Sequence, residues 1–401
     1  MKKLLETSNK KALIALAIGG FGIGMTEFVI MGILPDVANS LRISIPQAGH
    51  FIAAYALGVV IGAPLLTSIG SKWPAHKVLL FLMLWFTVFN TLSAFAESYE
   101  SLLAVRFLSG LPHGAFFGIG AVVAGKLAKK GKAAQAIATM MAGLTIANVV
   151  GVPLGTYFGH EYHWSIAFII VGLVGLLALL SVYFWMPHLA QSSTQGFAKD
   201  IKVFKKPRLW GLILLTTIGT GGFFAWYSYI APLITEVAGH GESVVGYAMI
   251  LTGLGMVVGN VLGAKLTERF KPMKAVLIAL SLMVAVLLAN TFLASDKIAV
   301  LVMTFIIGMV GFSISTPLQM AIIKASRGSE MLGSSMNQSA FNMGNASGAF
   351  LAGLPIAMGY GFTSADLVGA ALAGSGVMIA GIIILSGKRI MVKKRHWALQ
   401  H

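Results

Sequence analysis

Cysteine is absent from all 401 residues, which excludes a disulfide framework and any thiolate metal site. Charge is scarce as well: Asp, Glu, Lys and Arg make up 10% of the chain, against about 25% in an ordinary soluble domain. That is too little polar cover for a soluble enzyme, a disordered chain or a collagen. Acids are the scarcest of all, 13 against 29 Lys and Arg, leaving a net charge of +16. No Gly-x4-Gly-Lys-Ser/Thr loop is present, so ATP-driven pumping is not indicated. Neither paired carboxylates nor a His/Asp cluster falls inside an apolar segment, so a membrane enzyme and a metal site are not expected.

What the chain does have is long apolar runs, with 57% hydrophobic residues and a mean hydropathy of +0.85. A helix crossing the hydrocarbon core needs about 20 mostly apolar residues. Twelve segments qualify, near 12–34, 49–70, 77–96, 100–125, 135–158, 164–185, 209–234, 244–266, 273–294, 297–322, 335–357 and 364–386. The first run is too long for a signal peptide and eleven more follow it. The strict alternation of a barrel strand is missing. The expected class is therefore an all-α integral membrane protein of twelve transmembrane helices.

The basic residues sort by side. All of the 29 except Arg42, Arg106 and Lys297 lie before span 1, after span 12, or in the loops joining 2 to 3, 4 to 5, 6 to 7, 8 to 9 and 10 to 11. Asp36, Glu97, Glu100, Glu161, Glu236, Glu242, Asp296 and Asp366 sit at or near the opposite ends. This positive-inside pattern places both termini in the cytoplasm. It accounts for the charge without nucleic acid; the expected partners are the lipid bilayer, a small-molecule substrate and protons.

A polar break at 186–208 divides the spans six and six. At a separation of 197 residues Gly22 meets Gly219, Pro35 meets Pro232, Gly58 meets Gly255, Gly114 meets Gly311, Asn148 meets Asn345 and Gly151 meets Gly348. Two like-oriented halves follow, 1–185 and 209–401, pseudo-symmetric about the membrane normal and suited to alternating access at a central site.

Three spans carry the residues that point to mechanism. Span 1 holds the only carboxylate well inside an apolar segment, Glu27. An ionised group there is costly, so it reads as a site of proton exchange or of substrate contact. Span 4 holds Arg106, about six residues inside, and His113, a second-tier relay candidate. Span 5 repeats small residues at Gly143, Ala147, Gly151, Pro153 and Gly155, a smooth face for close helix packing and a candidate sealing surface between the halves. Asn148, Gln319, Asn337, Gln338, Asn342 and Asn345 are polar cavity candidates, joined by Trp226 and Tyr227 from an aromatic cluster in span 7.

Thr26-Glu27-Phe28, Gly32-Ile-Leu34-Pro35, Arg106-x3-Gly110-x2-His113-Gly114 and Ala147-Asn148-x2-Gly151-x-Pro153-x-Gly155 together resemble the major facilitator superfamily over essentially the whole chain. Within it the chain is most similar to the drug:proton antiporters, in their arabinose-efflux-permease-like branch. The resemblance implies that Arg106 takes part in proton coupling and that Gly143 to Gly155 is the fifth-helix antiporter motif, favouring export. It implies no cofactor beyond the proton motive force, function as a monomer, and residence in a bacterial cytoplasmic membrane. The family's acidic loop between spans 2 and 3 is altered here: Ser71 takes the acidic place beside Lys72 and Lys77, while Glu268 and Arg269 keep the pattern in the second half. A cytoplasmic gate is expected from Lys72, Lys77, Glu268 and Arg269. The expected function is proton-coupled export of a sugar-like, nucleoside-like or drug-like molecule. The alternatives are a uniporter or proton symporter importing a polar metabolite, and a membrane sensor that does not transport.

Overall fold

The computed structural model describes residues 2–43, 45–188, 205–241 and 243–400. Most of the break expected at 186–208, including Lys199 and Lys202, lies outside them, as does Glu242. No strand occurs among the described residues. Twelve long helices carry the chain: α1 Lys2–Gly32, α2 Ile45–Gly70, α3 Ala75–Ser93, α4 Tyr99–Leu127, α5 Ala133–Glu161, α6 Ser165–Trp185, α7 Pro207–Tyr227, α8 Ser243–Phe270, α9 Pro272–Leu293, α10 Lys297–Ala325, α11 Glu330–Ala357 and α12 Ser364–Gln400. Eleven of them contain a stretch long and apolar enough to cross a membrane. The other, α11, has 28 residues, ample length at about 1.5 Å each. Ser334, Ser335, Asn337, Gln338, Ser339 and Asn342, all buried, lower its apolarity.

Two helices end where proline dictates. A proline lacks the backbone donor and crowds the preceding turn, so α1 gives way to a short helix, Leu34–Leu41, and α7 to Ile230–Pro232 and the wide turn Leu233–Val237. In α5 the same effect stays inside the helix. Pro153 cannot donate to the Val149 carbonyl, and the turn just before it, Ala147–Gly151, widens to π geometry.

The pairing of helices repeats. In the first half α1 packs on α5 and α6, α2 on α4, and α3 on α4 and α6; in the second α7 packs on α11 and α12, α8 on α10, and α9 on α10 and α12. Each half has its own apolar core, from Ala12 to Met186 and from Leu209 to Ala380, with Phe28 and Val152 of the first reaching into the second. Outward faces stay apolar too: Leu173, Leu177 and Phe184 on α6, and Met378, Ile382 and Leu385 on α12, are exposed. On a soluble protein such faces would drive association; in a bilayer they meet lipid tails.

The halves meet where α11 crosses α2 and α4 and where α5 crosses α8. Glycine makes these crossings possible. A Cβ on Gly118 of α4 would overlap Ser335 of α11, and one on Gly253 of α8 would lie 2.8 Å from Val149 of α5. The small-residue face of α5 is directed elsewhere. Cβ atoms on Gly143, Gly151 and Gly155 would strike Ala17, Phe21, Met25 and Val29, all on α1. That corrects the expectation of a sealing surface: the stripe packs α1 to α5 within one half, because the halves meet over other faces of α5.

Candidate functional site

Glu27, Thr26 and Phe28 lie on α1, five to seven residues before the break at Ile33. Glu27 is buried, and among the described residues it makes neither a hydrogen bond nor an ion pair. It lines a cavity of about 20 Å³ between the halves, with Phe28, His113, Met141 and Leu144 on one side and Phe312, Ser315, Asn337, Gln338, Phe341 and Asn342 on the other. Such a space holds about one water molecule.

Arg106 is fully buried on α4 beside this cavity. Its guanidinium does not reach Glu27 within ion-pair distance. It donates to Thr26 Oγ1 at 2.9 Å and to the Thr26 carbonyl at 3.2 Å, while the Thr26 hydroxyl in turn donates to Asn90 of α3. Aromatic rings enclose the cation, Tyr55 at 4.5 Å and Phe168 at 5.4 Å from centroid to guanidinium carbon. Arg106 Nε has no hydrogen-bond partner among the described residues. The buried cation is thus bonded to the residue next to Glu27 in the chain rather than to its carboxyl group. Thr26→Val removes an acceptor from Arg106 and a donor from Asn90, and is expected to cost about 1–3 kcal/mol; the thermal midpoint in detergent should fall, with Thr26→Ser restoring most of it.

The remaining sequence candidates divide. His113, Gln338 and Asn342 join Glu27 at the cavity. Gln319 does not; it accepts from Asn337 Nδ2 at 2.6 Å and donates to Ser334, and Asn337 also accepts from Thr216 at 2.9 Å, a network internal to the second half. Asn148 donates to the Leu144 carbonyl of its own helix, filling a backbone acceptor near the π turn. Asn345 is half-buried and outside the cavity. Trp226 is buried in the second core, while Tyr227 stacks on Phe223 at 5.3 Å and meets Phe28 edge-on at 6.5 Å across the halves. Asp366, expected among the outward acids, is fully buried and accepts from Asn290 Nδ2. Its place near the start of a span gave no sign that α9 would cover it.

At the end carrying the basic loops, Glu268 Oε2 accepts from Lys132 Nζ at 3.3 Å and from Gln135 Nε2 at 2.9 Å, joining α8 to α5. Lys72 and Lys77 are exposed and do not meet it, and Arg269 lies over Phe270. At the pseudo-symmetric crossing, where Ser71 replaces the acid, Thr67 and Ser335 share a hydrogen bond of 2.6 Å. A cavity of about 530 Å³ opens beside that bond, lined by Ser68, Ser71, Lys126, Lys324 and Glu330 among others. Lys132 and Gln135 went unread as gate residues because nothing in their loop marks a partner 133 to 136 positions away.

With no native cysteine, a single cysteine at Ile137, which lines that cavity but is fully buried, can be labelled selectively and only when the packing around it opens. The Lys132–Glu268 pair is partly exposed and worth up to about 1 kcal/mol. Lys132→Ala should therefore raise the labelling rate at position 137 up to about fivefold; an unchanged rate would show that the pair does not hold this end shut.

The sequence profile described as Major Facilitator Superfamily matches residues 16–353. AraJ of Escherichia coli (strain K12) is 38% identical over 363 residues, covering 90% of this chain and 92% of that one. The inner membrane transport protein YdhP of the same strain is 38% identical, covering 92% and 94%. A chloramphenicol resistance protein of Streptomyces lividans is 28% identical, covering 93% and 95%. Among solved structures, the transporter FucP in its outward conformation superposes with a TM-score of 0.76 at 14% identity, covering 94% of this chain and 99% of that one, a likeness of fold. The profile and the relatives span nearly the whole length, and the chain belongs to the Major Facilitator Superfamily, a family of membrane transporters.

Proposed function

We propose that this protein is a proton-coupled secondary transporter exporting a small organic molecule, sugar-like, nucleoside-like or drug-like, in exchange for protons. The observation that carries this reading is Glu27: a buried carboxyl group with no bonded partner among the described residues, facing a small cavity between two halves that can rock about it. Arg106 sits close by with its charge held on Thr26, so a change in protonation of Glu27 alters the local field without breaking an ion pair. Residues 1–185 and 209–401 act as the rocking bodies, joined by 186–208. Export is supported by the fifth-helix motif from Gly143 to Gly155 and by the name of the relative associated with chloramphenicol resistance.

The basic loops support a cytoplasmic Lys132–Glu268 end, with both termini on the same side. A bacterial cytoplasmic membrane is the setting that agrees with the inner-membrane name of YdhP. The proton motive force is the energy source, and one chain suffices, since the cavity is built within it. The test is a panel of sugars, nucleosides and antibiotics on proteoliposomes under an imposed pH gradient. Movement of at least one compound opposite to the proton flow supports the reading, and movement with the protons marks a symporter. Movement indifferent to the gradient marks a uniporter, and the absence of any movement marks a non-transporting protein.

A further inference from the structure

Tyr55 of α2 carries no polar sequence signal, yet it touches both unusual groups of α4. Its ring lies 4.5 Å from the Arg106 guanidinium, and its hydroxyl is 3.0 Å from Nδ1 of His113. All three side chains are buried, at 2% exposure or less. His113 lines the cavity that Glu27 lines. With Nδ1 engaged by Tyr55, the nitrogen left for that cavity is Nε2.

We propose that Tyr55 is a positioning residue that fixes the tautomer of His113, so that a neutral imidazole presents Nε2–H to the central cavity beside Glu27. The direction of the Tyr55–His113 bond follows from the cation. Positive charge against a phenol ring draws electron density from it, making the hydroxyl a better donor and a poorer acceptor. Tyr55 Oη therefore donates to Nδ1, and the ring proton resides on Nε2. His113 is then a fixed hydrogen-bond donor rather than a proton relay, and proton exchange is left to Glu27. The assignment deepens the proton-coupled reading and rests on it for its purpose, although the tautomer itself does not depend on transport. Among the described residues, Glu27 from α1 shares the cavity with His113 and Tyr55 from α2 bonds it, while Arg106 of α4 reaches it only through the Tyr55 ring. The parts of α3, α5 and α11 at this depth present neutral groups, among them Asn90, Gln338 and Asn342.

The test is a two-bond ¹H–¹⁵N spectrum of the full chain, labelled with ¹⁵N at its nine histidines and held in nanodiscs. His113→Gln, or His113→Asn should the former not fold, identifies the His113 signals. The expected result is a neutral Nε2–H pattern in the native protein across pH 6 to 8. Tyr55→Phe keeps the ring over Arg106 and removes the hydroxyl, so the ratio of Nε2–H to Nδ1–H should fall about fivefold or more. A native His113 in the Nδ1–H form, a doubly protonated His113 in that pH range, or an unchanged ratio in Tyr55→Phe overturns the proposal. Should Tyr55→Phe not fold, the native spectrum still decides the tautomer. A correct tautomer in a protein that shows no gradient-driven flux would defeat the proton-coupled reading alone; the reverse pair of results would defeat this assignment alone.

Discussion

Glu27→Gln is expected to reduce gradient-driven flux to the background of empty liposomes while preserving counterflow of the same compound. The substitution is close to isosteric, so the 20 Å³ cavity, its aromatic walls and the neighbouring amides should keep their shape. What is lost is the ability to exist in two charge states. In exchange transport that ability links the two fluxes, because the protonated and ionised carboxylates favour different arrangements of the halves. Counterflow needs only binding and rocking, and glutamine can supply a hydrogen bond in place of the acid. The measurement is paired: flux of a panel compound against an imposed pH gradient, then exchange with the gradient collapsed. Retained gradient-driven flux would remove Glu27 as the coupling group, whatever its contribution to binding. Loss of both activities would show that the carboxylate is needed to hold the substrate itself.

The second large effect is structural. Gly143→Ala should lower the thermal midpoint in detergent more than any other single methyl addition on α5. The added Cβ would overlap the Ala17 carbonyl oxygen and lie 2.7 Å from the Phe21 nitrogen. Both are backbone atoms of α1, so no rotamer change relieves the contact and the two helices must separate. Overpacking of this kind costs about 1–3 kcal/mol, and the separation would also move the segment that carries Glu27. Gly381→Ala is the control, since a Cβ there meets nothing within 4 Å. Equal midpoints for the two variants would show that α1 and α5 are not in contact at Gly143.

These two residues also mark what was legible in the sequence. Glu27 stood out because a carboxylate is conspicuous in an apolar run, and Gly143 because small residues recurred at helical spacing. The twelve spans and the repeat at 197 residues were legible for similar reasons: hydropathy reports length, and Gly and Pro report places where side chains or backbone donors are excluded. Rotation of each helix about its axis was not legible. In a soluble helix the polar face shows which side is outward. In lipid the outer face is as apolar as the core, so Leu177 of α6, which is exposed, and Val171, which is buried, look alike in sequence. Tyr55 therefore passed as another aromatic, Asp366 as an outward acid, and the glycine face of α5 as a surface between the halves. Ion pairs were hidden for a different reason. Lys132 and Glu268 belong to opposite halves, and the altered loop around Ser71 directed attention to Lys72 and Lys77.

The polarity of α11 has a consequence for how the protein is made. A segment released into a membrane by the insertion machinery is judged on its own apolarity, and among the described residues α11 is the long helix without a strongly apolar stretch. Ser335, Asn337 and Ser334 of this helix bond to Thr67 of α2, Thr216 of α7 and Gln319 of α10, all of which are synthesised earlier. Insertion of α11 is thus a step of assembly rather than of partitioning. Detached from the preceding helices and fused to a reporter, it should remain on the side where it was synthesised.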